Sequence, residues 1–370
     1  MPEVMTVVGT RPELIKLSRV IAELDRQVDH VLVHTGQNHD FELNEVFFRD
    51  LGIRRPDHFL EAAGVSASQT IARVIERLDA VLEDRQPDAL LLLGDTNSCL
   101  GAIAAKRRRI PIFHMEAGNR CFDLRVPEET NRKIVDHLSD INLVYTEHAR
   151  RYLLAEGIRP DTVIKTGSPM REVLSHFSRG IEASDAMAAM GLEPEGFFIV
   201  SAHREENVDD PARLSMLLGS LDALATKFGK RMLFSVHPRT RARMESFGFS
   251  PSASIEFLKP LGFFDYVQLQ KNAFCVVSDS GTVTEEAAIL GFRAITIRDA
   301  HERPEGMDEG TLIMTGLDPE RMVHAVAVLR SQPRGTTHEP PDYAADNVSI
   351  KVVRIILSYI DFVRRTVWYQ

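Results

Sequence analysis

FCVVSDSGTVTEEAAILG, residues 274–291, joins a short apolar run (274–277) to a polar turn (278–282) and then to a helical stretch stopped by Gly291. A buried strand that feeds a glycine-containing turn into a helix N-terminus presents free backbone N–H groups and the positive end of the helix dipole at one spot. Such a spot holds anions. Glu285 and Glu286 follow about a turn into the helix, where one of them is placed to accept ribose hydroxyls. The plainer alternative is an ordinary βα unit whose Ser and Thr cap a helix.

The same grammar recurs outward from this stretch. Residues 4–8 read as a strand, followed by Gly9-Thr10-Arg11-Pro12 and a helix over 13–25, with Pro12 in the first turn where a missing N–H is harmless. Arg11 lies in that turn and Lys16 one turn inside. Residues 30–35 and 89–93 read as further strands, the second a continuous apolar run of the kind buried on both faces of a parallel sheet. Ser66 caps a long amphipathic helix to about residue 84, and strands at 110–115 and 141–145 alternate with helices at 128–138 and 147–156. Gly167-Ser168-Pro169 breaks the series and serves as a hinge. A second series follows, with strands at 197–201, 232–236, 255–258, 274–277 and 293–297. The expected fold class is α/β: two Rossmann-like, doubly wound domains, 1–169 and 170–347, with a last helix from about 348 packing back on the first. Residues 332–347 read as a surface crossing.

Composition narrows the function. A chain of 370 residues with 44% apolar and 26% charged residues is a globular protein with room for two cores. A net charge of -9 disfavours nucleic acid as a partner. Nothing approaches a membrane span, and no leader segment is visible at the N-terminus. Cys99, Cys121 and Cys275, odd in number and far apart, fit a reducing cytoplasm and lack zinc spacing. The basic run 106–109 ends a helix, where cations favour the dipole, and reads as a solvated turn.

In doubly wound sheets ligands bind beyond the carboxyl ends of the strands. The residues at those ends are Arg11, Lys16, Gln37, Asp95, Glu116 and Glu128 in the first half, and His203, Arg204, His237, Ser280, Gly281, Glu286 and Arg303 in the second. Cations and helix N-termini suit a diphosphate; three carboxylates and a histidine suit proton transfer. Together, across two facing domains, they suit an extended ligand such as a nucleotide-sugar. Each also has a plainer role: Asp95 as an N-cap, one of Glu128 and Glu129 as a dipole partner after Pro127, and His203 as a core histidine.

VVGTRPELIK (7–16), GDTNS (94–98), HMEAGNR (114–120), VPEETNRKIVDHL (126–138), SAHREEN (201–207), SDSGTVTEE (278–286) and RDAHERPEG (298–306) occur in one order. Together they resemble the non-hydrolysing UDP-N-acetylglucosamine 2-epimerase family over about residues 4–330. The resemblance implies a GT-B-type pair of domains facing a cleft, a UDP-sugar ligand, a homodimer, and neither metal nor NAD. It puts the catalytic acids at Asp95, Glu116 and Glu128 and the catalytic histidine at His203. It puts diphosphate and ribose contacts at Ser280, Gly281 and Glu286, with Arg11 and Lys16 facing the sugar-phosphate from the other domain. Gln37, Arg204 and His237 correspond to positions that hold a second, activating nucleotide-sugar in the family. The loop AGNRCFDLRVPEE (117–129) is shorter and differently composed than is usual there. MTVVGTRPE (5–13), HTGQN (34–38), GNRCFD (118–123) and AHERPEG (300–306) resemble the branch that makes UDP-N-acetyl-L-fucosamine for capsule or O-antigen. A neighbouring branch acts on UDP-diacetamido-uronic acids.

The chemistry expected from that likeness is loss of UDP from C1, removal of the proton on C2, and re-addition of UDP after C2 is protonated on its other face. The rival expectations are a glycosyltransferase using the same UDP site, a UDP-sugar sensor without turnover, and a hydrolysing epimerase.

Overall fold

The computed structural model describes residues 1–37, 47–236, 238–249 and 252–369, with backbone alone at 238 and 239. They form two compact units, residues 1–176 with 341–370, and residues 177–340.

The first unit carries strands β1 (Glu3–Val8), β2 (Asp29–His34), β3 (His58–Phe59), β4 (Ala89–Leu93), β5 (Ile112–Met115), β6 (Ile141–Val144) and β7 (Val163–Lys165). They lie side by side in the order β3-β2-β1-β4-β5-β6-β7, every neighbouring pair parallel. Parallel strands need crossovers, and among the described residues the helices Arg11–Gln27, Ala67–Arg85, Ala102–Arg107, Pro127–Leu138 and Glu147–Ala155 lie in them. β4 is ALLLL and buried along its whole length, as a strand covered on both faces must be. Ser66 caps the helix Ala67–Arg85 by accepting from the backbone N–H of Gln69. One face of the sheet packs Met5, Val7, Leu90 and Leu92 against Leu78 and Leu82 of that helix. The helix Val348–Val363 belongs to this unit and lies along Arg11–Gln27.

The second unit repeats the plan with β8 (Phe197–Ser201), β9 (Arg231–Ser235), β10 (Ile255–Leu258), β11 (Cys275–Ser278), β12 (Ala294–Thr296) and β13 (Ile313–Met314), in the parallel order β10-β9-β8-β11-β12-β13. Alternation along β8 shows both faces covered. Phe198 and Val200 join Leu214, Leu217 and Leu221 of the helix Pro211–Phe228. Phe197 and Ile199 join Leu269 and Val283 on the other side. Both sheets are therefore doubly wound, as the repeating pattern led one to expect.

Three strands were not legible in the sequence: β3, β7 and β13, each two or three residues long at a sheet edge, too short to show a period. The surface crossing expected over 332–347 holds only in part. Tyr343 is fully buried, and the Asp342 carboxylate accepts from the backbone N–H of Glu147 and from Lys165, which ties this segment into the first unit. Among the described residues, no helix is long and apolar enough to cross a membrane. No group of His, Cys, Asp and Glu among them is arranged to hold a metal ion. The three cysteines are buried and unbridged.

Candidate active site

In the first sheet β1 and β4 are neighbours, yet the chain leaves them in opposite directions. The loops at their carboxyl ends thus frame the crevice where doubly wound sheets bind ligands. Gly9 starts the first loop because nothing larger fits: a Cβ there would lie 2.1 Å from Ser98 Oγ and 2.3 Å from Thr35 Oγ1. Those two hydroxyls bond each other at 2.7 Å, and Ser98 Oγ donates to Gln37 Oε1 at 3.1 Å. Glu13, almost wholly buried in the first turn of Arg11–Gln27, ties the two loops together. One carboxylate oxygen accepts from the backbone N–H groups of Gly9 (2.6 Å) and Thr10 (2.7 Å), and the other from the Thr96 hydroxyl (2.7 Å). Burial pushes its pKa up to about 7 despite these bonds.

Asp95 does not cap the turn that follows β4; Thr96 does, accepting from the backbone N–H of Ser98. The Asp95 carboxylate accepts instead from Arg132 Nε at 2.7 Å, and its backbone carbonyl accepts from Asn131. Both partners sit on the helix Pro127–Leu138. Glu128 lies one turn ahead of Arg132 on that helix and so shares its face. The bridging arginine is itself buried and also grips Glu129 at 2.9 Å. Burial opposes the charge of Glu129, but bonds from Cys121 and Arg132 hold its carboxyl below the usual range.

Glu116 directly follows β5 and has a left-handed backbone (φ 64°), uncommon for a residue with a side chain. What holds it there lies underneath. The backbone N–H of Gly118 donates to Asp136, and the fully buried Arg120 donates to Asp136 (2.7 Å) and Glu156 (2.6 Å). His114 Nδ1 lies 2.9 Å from the same Asp136. Burial opposes the Asp136 charge, and these partners nonetheless keep its carboxyl below the usual range. Held this way, Glu116 accepts from Lys16 Nζ at 2.6 Å, a pair almost entirely removed from solvent. The backbone bond between Gly94 and Met115 places the Asp95 and Glu116 loops side by side. Asp95, Glu116 and Lys16 therefore gather at the carboxyl end of the first sheet, and Glu128 lies on the helix whose Arg132 holds Asp95. Arg11 begins the same helix as Lys16, with its guanidinium 5.4 Å from the Phe47 ring centre.

The second unit has the matching crevice between β8 and β11. After β11 the chain turns through Asp279, Ser280 and Gly281 into the helix Thr282–Leu290, as residues 274–291 led one to expect. Ser280 Oγ and Thr282 Oγ1 are 3.0 Å apart at its N-terminus. A Cβ on Gly281 would come 2.7 Å from Glu302 Oε1, so the turn packs directly on that carboxylate. A small pocket here is lined by Ser280, Gly281, Arg298, His301, Glu302 and Arg303. Glu302 is engaged by Arg298 and lies 3.5 Å from an Arg204 nitrogen. Of the two helix acids, Glu285 is fully buried and holds Arg303 (2.9 Å), while Glu286 accepts from Gln270 (2.7 Å). Burial first, and then the Glu286 charge, push the Tyr266 phenol upward. His203, exposed at the end of β8, has Nδ1 3.4 Å from the buried Asp279. His237 lies outside the described residues.

The arrangement can do two things chemically. The second unit offers an anion a helix N-terminus surrounded by arginines. The first offers several carboxylates, held by buried cations, for proton transfer. Sequence reasoning missed the residues beneath them: Glu13, Arg120, Arg132, Asp136 and Asp279. A signal existed for two, since Arg132 follows Glu128 by one helical turn and Asp279 directly follows an apolar strand.

The family model for UDP-N-acetylglucosamine 2-epimerase matches residues 22–357. A solved UDP-N-acetylglucosamine 2-epimerase from Rickettsia bellii is 53% identical, with a TM-score of 0.93 and all of both chains covered. The Methanocaldococcus jannaschii UDP-GlcNAc 2-epimerase, solved in complex with UDP-GlcNAc and UDP, is 31% identical, with a TM-score of 0.91 over 96% of this chain and 99% of that one. A UDP-2,3-diacetamido-2,3-dideoxy-D-glucuronate 2-epimerase of Pseudomonas aeruginosa is 33% identical over 87% of this chain and 91% of its own. Two doubly wound units, a glycine turn into a helix N-terminus in one and cation-paired acids in the other accompany that likeness over nearly the whole chain, and this chain is an enzyme of the UDP-N-acetylglucosamine 2-epimerase family.

Proposed function

We propose that the enzyme inverts C2 of a UDP-N-acetylhexosamine by eliminating and re-adding UDP. A proton on C2 of an acetamido sugar is a weak carbon acid because no carbonyl adjoins it. Breaking the C1–O bond, with its electron pair leaving on UDP, makes C1 oxocarbenium-like and acidifies that proton. Its loss to a carboxylate leaves a C1=C2 glycal. Protonation of C2 on the opposite face, with return of the UDP oxygen to C1, completes the inversion. Ser280, Gly281 and the helix N-terminus take the diphosphate and Glu286 the ribose. Arg11 and Lys16 offset phosphate charge. Asp95, Glu116 and Glu128 share the roles of base, acid and ring orientation, and His203 serves the departing phosphate.

The observation that carries this reading is the pairing of Asp95 and Glu116 side by side at the carboxyl end of the first sheet, each gripped by a buried cation, with Glu128 on the helix that supplies one of those cations. A glycosyltransferase needs one base at most. For the product we propose UDP-N-acetyl-L-fucosamine, supported by the wording of residues 5–13, 118–123 and 300–306. A second reading, UDP-N-acetylglucosamine as substrate, is favoured by the 53% identity to the R. bellii protein.

Proton NMR in deuterium oxide tests both, using a panel of UDP-N-acetylhexosamines that includes 6-deoxy-L sugars. Deuterium entering C2 of recovered UDP-sugar is the expected result, fastest with the 6-deoxy-L member. Exchange fastest with UDP-N-acetylglucosamine moves the assignment to the second reading. UDP-sugar binding without exchange by any member overturns the epimerase chemistry.

A further inference from the structure

The Asp279 carboxylate is completely buried in the turn after β11, yet among the described residues its donors come from the segment after β8. The backbone N–H of Arg204 (3.0 Å) and Asn207 Nδ2 (3.1 Å) donate to one oxygen, and the backbone N–H of His203 donates to that oxygen at 3.0 Å and to the other at 3.2 Å. This other oxygen lies 3.4 Å from His203 Nδ1. One acid thus fixes the loop that carries His203 and faces the ring of that histidine. A charged oxygen accepts only; it selects the ring with a proton on Nδ1 and leaves Nε2, on the far side, to exchange one.

We propose that Asp279 is a positioning residue that holds His203 in the Nδ1–H form, with Nε2 as the atom that passes a proton to the departing diphosphate. This rests on the function proposed above. In the forward step the imidazolium Nε2–H bond breaks and the proton goes to a phosphate oxygen as the C1–O bond breaks. The ring is left neutral with its proton on Nδ1. On UDP return the proton moves back.

Asp279→Asn separates orientation from anchoring. Its amide oxygen takes over the two backbone N–H groups and Asn207. Its NH2 then faces Nδ1 and forces that atom to accept, so Nε2 carries the proton and the imidazolium is disfavoured. The expected result is UDP affinity within about twofold of wild type by calorimetry, and kcat for C2 exchange down roughly 100-fold, the lower end of what a positioned proton-transfer group contributes. His203→Ala falls comparably, and the double variant falls no further. A kcat within about threefold of wild type, a loss of UDP binding that parallels the loss of kcat, or multiplying losses in the double variant overturns the assignment. A second measurement needs no altered Asp279: in protein labelled with 15N-histidine and saturated with UDP, the resonances absent from His203→Ala report an Nδ1–H ring, and an Nε2–H ring overturns the proposal. Wild-type protein that exchanges no substrate brings down the epimerase reading and this assignment with it. Exchange that persists in Asp279→Asn brings down the assignment alone.

Discussion

Replacing Glu13 with Gln removes a charge without removing a contact, and the effect on stability is calculable. The amide oxygen can occupy the position that accepts from Gly9 and Thr10, while the NH2 donates to a rotated Thr96 hydroxyl. What changes is the burial of a carboxylate whose pKa stands at about 7 against an ordinary 4.5. Between these values the folded chain keeps a proton that the unfolded chain has released. The folded state therefore binds more protons, and wild-type stability falls as pH rises through this window. A shift of that size corresponds to about 3 kcal/mol, fully expressed above the folded pKa and absent below the unfolded one. Glu13→Gln lacks this slope. The variant should match wild type near the lower value and exceed it by about 3 kcal/mol around pH 8. Urea unfolding read by Trp368, the single tryptophan and in the same unit as Glu13, measures the difference at each pH. A difference that stays constant across the window, or a variant less stable throughout, refutes the reasoning.

Two further substitutions probe the supports of the site. Gly281→Ala places a methyl group 2.7 Å from Glu302 Oε1 at a φ (-65°) that alanine accepts, so the collision alone is tested. UDP affinity by calorimetry should fall about tenfold, on the order of one lost interaction at the diphosphate, while the melting temperature stays near wild type. Arg132→Ala leaves the fully buried Glu129 without its cation and Asp95 without its 2.7 Å partner, and should destabilise the chain by about 3 kcal/mol in urea unfolding followed by Trp368. A loss below about 1 kcal/mol would show that the bonds from Cys121 and the Phe122 backbone N–H suffice for Glu129.

The sequence made the repeated units legible because a buried parallel strand such as β4 has an unambiguous composition and a capped helix such as Ala67–Arg85 an unambiguous start. The strand–turn–helix of residues 274–291 was legible for the same reason: its strand, glycine and helix are consecutive in the chain. The acids were legible as a list, because strand ends can be named without knowing which strands are neighbours. What joins them was not. Lys16 meets Glu116 across 100 residues, and Arg132 meets Asp95 across 37. Nothing local in the sequence encodes those distances. Nor does it encode that Arg303, placed with the ligand contacts, spends its guanidinium on Glu285. Edge strands such as β3 failed for a simpler reason: two residues have no period.

The buried acids Glu13 and Asp279 answer one problem posed by this kind of sheet. Where the chain departs from adjacent strands in opposite directions, the loops beyond them lose the ladder that satisfied their backbone N–H groups. A carboxylate, with several acceptor sites and no donor, ties the backbone of one loop to the segment that carries it. In the first unit it reaches from the helix after β1 to Thr96 beyond β4; in the second it reaches from the turn after β11 to His203 and Arg204 beyond β8. These same loops bear Asp95, His203, Ser280 and Gly281. Each clamp therefore fixes backbone that carries candidate chemistry before any ligand arrives, which lowers the ordering that binding must accomplish. The left-handed Glu116 extends the argument. A conformation that costs on the order of 1 kcal/mol persists because Asp136 and Arg120 over-determine it from below, and its effect is to aim a carboxylate at Lys16 instead of along the strand.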